Sequence, residues 1–317
     1  MTTARIDPDI AHHAALDARM VQAARGIKVL TLASWPATHA DAFLADYARG
    51  VIRVPHFDYP QYDFREIRTE LTRIAYEADT SHPLGQYLID ATQSWDTAAR
   101  LCEALGTPAV SDLSQQLYGS VDAPLPGNGP SARVAARHFI EIADQFDHEL
   151  ASPAEQVEIS ATALQMLLQN DLDDYFNARV IEVVLDPDLI AKAAAGATRI
   201  RLRSGAAFTD YDRQQLLQHE AFVHSLSALN GREQPVLGSL ALSSPRATAT
   251  QEGLATFAEQ ITGTIDISRM KRLSLRIEAI ACALEGADFI DVFRLFLEAG
   301  QSPREGFASA QRVFRGV

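Results

Sequence analysis

The sequence has 317 residues and is acidic, with 28 Lys and Arg against 41 Asp and Glu and a formal net charge of −13. Such a chain is a poor partner for nucleic acid, because neutralising phosphates requires a basic surface. It has two widely spaced cysteines and no apolar run as long as a membrane helix. We therefore expect a soluble cytoplasmic protein with reduced thiols that binds neither nucleic acid nor membranes.

The first half of the sequence predicts helices separated by loops. Residues 51–64 are extended and aromatic, which favours a packed loop, and residues 121–133 contain three Pro and two Gly, which favours a boundary or exposed loop. The predicted helices lie at 16–32, at 35–50, at 64–105 with a break at 81–85, and in a short stretch within 104–120.

The second half mixes helices with a few short strands. Strands are predicted at 179–186 and at 198–205, where arginines alternate with Ile200 and Leu202 as on a half-buried strand. The predicted helices lie at 131–150, from Ser152 to about 172, at 186–196, at 209–230 and from 250, with two or three more at the end of the chain. The sequence thus predicts a mostly helical α+β protein with a small β-sheet. We divide it into a helical N-terminal region, 1–125, and a catalytic region, 126–317, which can form one compact unit.

The stretch "QHEAFVHSL" carries the most informative motif. Zinc hydrolases commonly contain H-E-x-x-H on a helix, whereas His219 and His224 are five residues apart. On a regular α-helix that spacing turns the two side chains about 140° apart. A π-bulge absorbs one extra residue and returns i and i+5 to the same face. If the two histidines form a metal site, the sequence predicts a bulge or kink between Glu220 and Ser225. The alternative is that they lie on an ordinary solvated helix.

A catalytic zinc site needs three protein ligands and an open position. His219 and His224 can supply two, and Glu252 in "TQEGLATFAEQ" can supply the third from another helix, where Gly253 would allow close backbone approach. Glu259 is seven residues further on, roughly on the same face, and could orient a ligand histidine. The alternative is that Glu252 merely complements the dipole of a helix N-terminus.

Four ordered segments, "LLQHEAFVHSLSALNGREQP", "TATQEGLATFAEQITG", "GADFIDVFRLFLEAG" and "RVFRG", resemble the QEGLA-motif family of bacterial proteins, which is often labelled as modulating flavohaemoglobin expression. That family is similar in turn to the tubulin tyrosine carboxypeptidases, which are H-E-x-x-x-H zinc metallopeptidases. The resemblance implies a zincin-like, gluzincin-type core with one Zn²⁺ per chain. By the same resemblance, His219, His224 and Glu252 would bind the metal, and Glu220 would be the catalytic glutamate. Family members usually continue beyond "RVFRG".

A carboxypeptidase must also bind a terminal carboxylate, which arginine does best through a bidentate fork. A tyrosine, Tyr211, is a candidate for stabilising the tetrahedral intermediate. The strand at 198–205 could be the sheet edge along which a substrate lies. The candidate arginines are Arg201, Arg203, Arg232, Arg312 and Arg315.

The function predicted is therefore a zinc metallopeptidase, a carboxypeptidase that acts on the C-terminus of a peptide or protein, with Glu220 as general base. Two alternatives remain open: a non-catalytic regulator that retains the fold, and a metal-dependent hydrolase of non-peptide amides. The sequence leaves the substrate, the oligomeric state and the choice between zinc and another divalent metal open.

Overall fold

The computed structural model describes residues 7–147, 158–187, 189 and 192–317, and these are mostly helical with two small sheets, which confirms the α+β class. A π-helix, Leu217–Ser225, joins the α-helices Asp210–Leu216 and Leu226–Arg232. The α-helices are α1 (Pro8–Ala24), α2 (Val29–Leu32), α3 (Ala37–Ala48), α4 (Arg65–Glu77), α5 (Pro83–Glu103), α6 (Ala109–Tyr118), α7 (Ala132–Asp147), α8 (Ala161–Phe176), α9 (Asp210–Leu216), α10 (Leu226–Arg232), α11 (Thr248–Ile261), α12 (Ile267–Leu284), α13 (Phe289–Glu298) and α14 (Pro303–Val313). The strands are β1 (Ile159–Ser160), β2 (Glu182–Asp186), β3 (Ala193–Gly196), β4 (Arg199–Arg203) and β5 (Ala207–Phe208).

Most predicted elements are present, but three differ. The first helix begins at Pro8 rather than at residue 16. The helix predicted from Ser152 begins at Ala161, where the Ser160 side chain caps it by accepting from the Ala163 N–H, and Ser152 itself lies outside the described residues. The predicted helix at 186–196 is wrong, because its described C-terminal end is the strand β3.

The chain divides into two compact units that are interleaved along the sequence. The first comprises Met1–Gly26, Arg65–Asp96 and Ser152–Ile265, and the second comprises Ile27–Phe64, Thr97–Ala151 and Asp266–Val317. They do not follow the predicted division at residue 125, because each unit gathers three separate stretches of sequence.

In the first unit a three-stranded sheet has the order β2-β4-β3, with β2 parallel and β3 antiparallel to β4. Ile200 and Leu202 of β4 are fully buried and pack with Leu164 and Leu168 of α8, as the alternating pattern of β4 predicts. The expectation that β4 is an edge strand is wrong, because β3 folds back along its second side. Edge position depends on strand order, which an alternating pattern does not encode.

The outer edge of β2 is covered by amide side chains of α8. Gln169 accepts a hydrogen bond from the Val183 N–H at 2.8 Å and donates one to the Ile181 carbonyl at 3.0 Å. Gln165 donates to the Val183 carbonyl at 2.8 Å. These contacts satisfy backbone groups of the edge strand β2. The strand at the opposite edge of the sheet is β3.

The second unit has a core of packed aromatic rings, most of them edge-to-face or tilted. Trp35, Phe43, Phe289, Phe293 and Phe307 are all buried in one cluster formed by α3, α12, α13 and α14. The predicted aromatic loop, residues 51–64, adds partly buried rings to this core. A separate apolar cluster in the same unit includes buried residues of α5 and α6.

Two exclusions drawn from the sequence can be compared with the structure. Cys102 and Cys282 are both free thiols, as predicted, and Cys102 is buried. No helix in the described part of the chain combines the length and the apolar character that crossing a membrane requires.

Candidate metal centre

The helix that carries the H-E-x-x-x-H motif starts at a well-defined cap. The Thr209 side chain accepts from the Asp212 N–H while Asp212 accepts from the Thr209 N–H, a capping box that satisfies two backbone donors. The helix then widens into the π-helix, which includes the whole motif. It ends as α10 at Arg232, two residues beyond the predicted end at residue 230.

The π-helix confirms the predicted irregularity and extends it over nine residues. Its wider turn places His219 and His224 on one side, with ring centroids 4.9 Å apart. Ala221 packs in the apolar cluster that includes residues of β2 and β4, and the Ser225 hydroxyl donates to the Gly196 carbonyl of β3 at 2.8 Å. The π-helix is therefore held against the sheet.

Glu252 comes to the two histidines from α11, which packs against the π-helix. Its carboxylate oxygens lie 3.6 Å from His219 Nε2 and 3.5 Å from His224 Nε2. Because α11 begins at Thr248, Glu252 lies in its second turn, and no acidic residue occupies the first turn. The helix-dipole alternative therefore does not account for Glu252. The role expected for Gly253 is wrong, since a Cβ atom there would meet nothing within 4 Å.

Glu259 makes the contact expected of a residue that orients a ligand histidine. Its carboxylate is fully buried and lies 2.5 Å from His219 Nδ1. A hydrogen bond from Nδ1–H to this carboxylate leaves Nε2 as the basic nitrogen on the side of Glu252. Gln215, one turn before His219, donates to the same oxygen of Glu259 at 3.4 Å. The sequence reasoning missed Gln215, although its i−4 spacing from His219 was available as a signal.

The carboxylates around His219 raise its pKa. Burial lowers the pKa of His219, but hydrogen bonds with Glu252 and Glu259 and the charge of Glu220 outweigh it and raise the pKa to about 9. Glu220 is half-buried and directly follows His219. A cluster of negative charge around an imidazole also favours a cation at Nε2, provided that the imidazole gives up its proton.

The donor atoms fit a single metal ion. One ligand atom from each of His219, His224 and Glu252 lies within 4.8 Å of the other two. Tetrahedral coordination with bonds of about 2.0–2.2 Å separates its donor atoms by roughly 3.3–3.6 Å, and each imidazole Nε2 lies at a comparable distance, 3.6 or 3.5 Å, from one of the two Glu252 oxygens. Two imidazoles and a carboxylate also suit the ligand preferences of zinc.

The remaining predicted residues are not members of this chelating group. Arg201 pairs with Asp186 of β2 at 3.2 Å, and Arg203 is half-buried at the end of β4. Arg232 is exposed at the end of α10, and Tyr211, in the first turn of α9, has a buried hydroxyl oxygen. The other two predicted arginines lie in the second unit, at the end of α14 and just beyond it: Arg312 and Arg315.

His219, His224 and Glu252 lie in chelating geometry, and Glu220 directly follows His219. This arrangement is a candidate metal centre of the hydrolase type. The comparison with known families agrees. A family profile described as microtubule-associated tyrosine carboxypeptidase matches residues 42–317, and the chain belongs to this family, which points to a carboxypeptidase-like function. The match is consistent with the resemblance to tubulin tyrosine carboxypeptidases stated from the motifs. No curated protein matches the chain, and no solved structure does.

Proposed function

We propose that this chain is a zinc metallopeptidase with a zincin-like core that removes a residue from the C-terminus of a peptide or protein. The observation that carries the proposal is the convergence of His219 Nε2, His224 Nε2 and the Glu252 carboxylate beside Glu220. The family description supports the choice of a carboxypeptidase, and its words name tyrosine as the residue removed.

The roles of the residues follow from their positions. His219, His224 and Glu252 would hold the ion, and Glu259 would keep the proton of His219 at Nδ1 so that Nε2 is free to bind. When bound, zinc lowers the pKa of water and polarises a carbonyl oxygen. Glu220 accepts a proton from the attacking water and delivers it to the leaving amine as the peptide bond breaks.

A peptide backbone can be held by the edge strand β3. Arg203 N–H donates to the Lys192 carbonyl at 3.0 Å, so the alternation of an antiparallel ladder directs the N–H and C=O groups of Ala193 and Ala195 to the outer edge. Because β3 packs against the π-helix, an extended substrate pairing with this edge would run beside the metal centre. The small alanine side chains leave room for the side chains of that substrate.

The terminal carboxylate needs a cationic partner. Within the first unit Arg201 pairs with Asp186 at 3.2 Å, whereas Arg232 is exposed at the end of α10. We propose Arg232 as the residue to test first for this role, by comparing KM for free and amidated C-termini.

The proposal is tested with the zinc-loaded protein and peptides that differ only at the C-terminus. Peptides ending in tyrosine with a free carboxylate should lose one residue, while the same peptides with an amidated terminus should not. Glu220→Gln should retain zinc and lose activity by about 10²–10⁴-fold, the usual contribution of a general base.

The alternatives give different results. Zinc-loaded wild-type protein that releases nothing from any peptide would favour the non-catalytic regulator. Hydrolysis of small non-peptide amides without peptide cleavage would favour the amidohydrolase.

A further inference from the structure

The second unit contains a half-buried arginine without an acidic partner. Arg315 lies two residues beyond the end of α14, and its Nε is buried with no hydrogen-bond acceptor. Among the described residues, no carboxylate lies within ion-pair distance of its guanidinium. In the same unit Arg133 and Arg137 do have an acidic partner, since both pair with the carboxylate of Glu278.

The electrostatic surroundings of Arg315 are also unfavourable to its charge. Burial lowers the pKa of the Arg315 guanidinium, and the charge of Arg312 lowers the pKa further, while Tyr59 raises it. An arginine nevertheless remains protonated in proteins. A cation that is partly removed from water and lies near a second cation costs stability unless an anion accompanies it.

One aromatic group near Arg315, Tyr59, is already hydrogen-bonded to other groups. The Tyr59 hydroxyl accepts from Trp35 Nε1–H at 2.7 Å and donates to the Ala33 carbonyl at 3.3 Å. Both rings pack in the aromatic core of the unit. The site thus combines one planar guanidinium fork with apolar and aromatic neighbours.

We propose that Arg315 binds the carboxylate of a small organic acid, with the apolar part of that ligand against the aromatic groups around Tyr59. A guanidinium fork matches a carboxylate in two parallel hydrogen bonds, and an aromatic group beside that guanidinium suits an acid that carries an apolar substituent. A ligand with a single negative charge also needs fewer donors than a phosphate dianion. This inference does not depend on the metal centre, although Arg315 is also one of the arginines that the sequence analysis names for a substrate carboxylate.

The test is thermal unfolding of the full chain with N-acetylphenylalanine as the probe and its uncharged amide as the control. A neutral chelator, 1,10-phenanthroline, is present so that a metal ion cannot bind the carboxylate. We expect the acid, but not the amide, to raise the Tm of the wild type in a saturable way. Arg315→Met should abolish this rise and, without ligand, should have a Tm equal to that of the wild type or about 2–4 °C higher, because an unpaired charge is removed.

Arg304→Met is the matched control, since Arg304 is on α14, exposed, and paired with Asp41. This variant should keep the full response to the acid. The proposal is overturned if the wild type does not respond, if Arg315→Met responds like the wild type, or if Arg315→Met is clearly less stable without ligand, which would make Arg315 a structural residue. A response through Arg315 to inorganic phosphate but not to the acid would also overturn it.

Discussion

Replacing Glu259 with glutamine should weaken zinc binding although Glu259 would not touch the ion. Glutamine keeps the size of the side chain and can still accept from His219 Nδ1–H, but it removes the negative charge. Partners of this kind change metal affinity by about 10–100-fold, which corresponds to about 1.4–2.7 kcal/mol. Glu259 is fully buried and lies 2.5 Å from Nδ1, so its charge is little screened by solvent. We therefore expect a loss near the upper end of this range.

The assay is a competition titration against a chelator of known zinc affinity. It should be run above pH 9, because the pKa of His219 is raised to about 9 and a proton would otherwise compete with zinc for that imidazole. Circular dichroism must show that the variant is folded, and Glu233→Gln serves as an exposed control that should bind zinc as the wild type does. A folded Glu259→Gln protein with wild-type affinity would refute the role given to Glu259.

Three further substitutions test the framework around the centre by chemical denaturation. Gly231→Ala should cost about 1–3 kcal/mol, because its Cβ would lie 2.2 Å from the Leu240 carbonyl oxygen; an unchanged midpoint would contradict this close approach. Gly253→Ala should instead stabilise the protein by up to about 1 kcal/mol through helix propensity, since nothing lies within 4 Å of the added carbon; a loss of stability would show a neighbour there. Arg213→Met should cost about 1 kcal/mol, because it breaks a partly exposed two-point contact with Asp171 at 2.6 and 2.7 Å; a cost that is absent even at low salt would contradict it.

The candidate metal centre could be predicted in part because its two histidines lie on one helix, close together in sequence. The five-residue spacing of His219 and His224 cannot place both on one face of a regular helix, so either the histidines were unrelated or the helix had to widen. The structure contains the wider helix. Glu252 and Glu259, seven residues apart on one helix, were expected to share a face, and both contact His219.

The predictions that were wrong concern segments whose structure is decided by contacts distant in sequence. The segment ending in "AKAAAG" has a composition that favours a helix, yet Ala193 to Gly196 pair with β4, because ladder hydrogen bonds and the packing of β3 on the π-helix outweigh local propensity. The same pairing makes β4 the central strand. The interleaved units could not be read from the sequence for a related reason, since helix patterns do not say which helices pack together.

The measurement that tests the central claim most directly is the zinc content of the purified protein, for wild type and for Glu252→Ala. Glu252 is more than half exposed, so its removal should leave the fold intact while removing the third ligand. We expect about one zinc per wild-type chain and a lost or much weaker site in the variant. A wild-type protein that binds no metal even when zinc is offered above pH 9, where His219 has lost its competing proton, or a variant that retains zinc with undiminished affinity, would contradict the proposed metal centre.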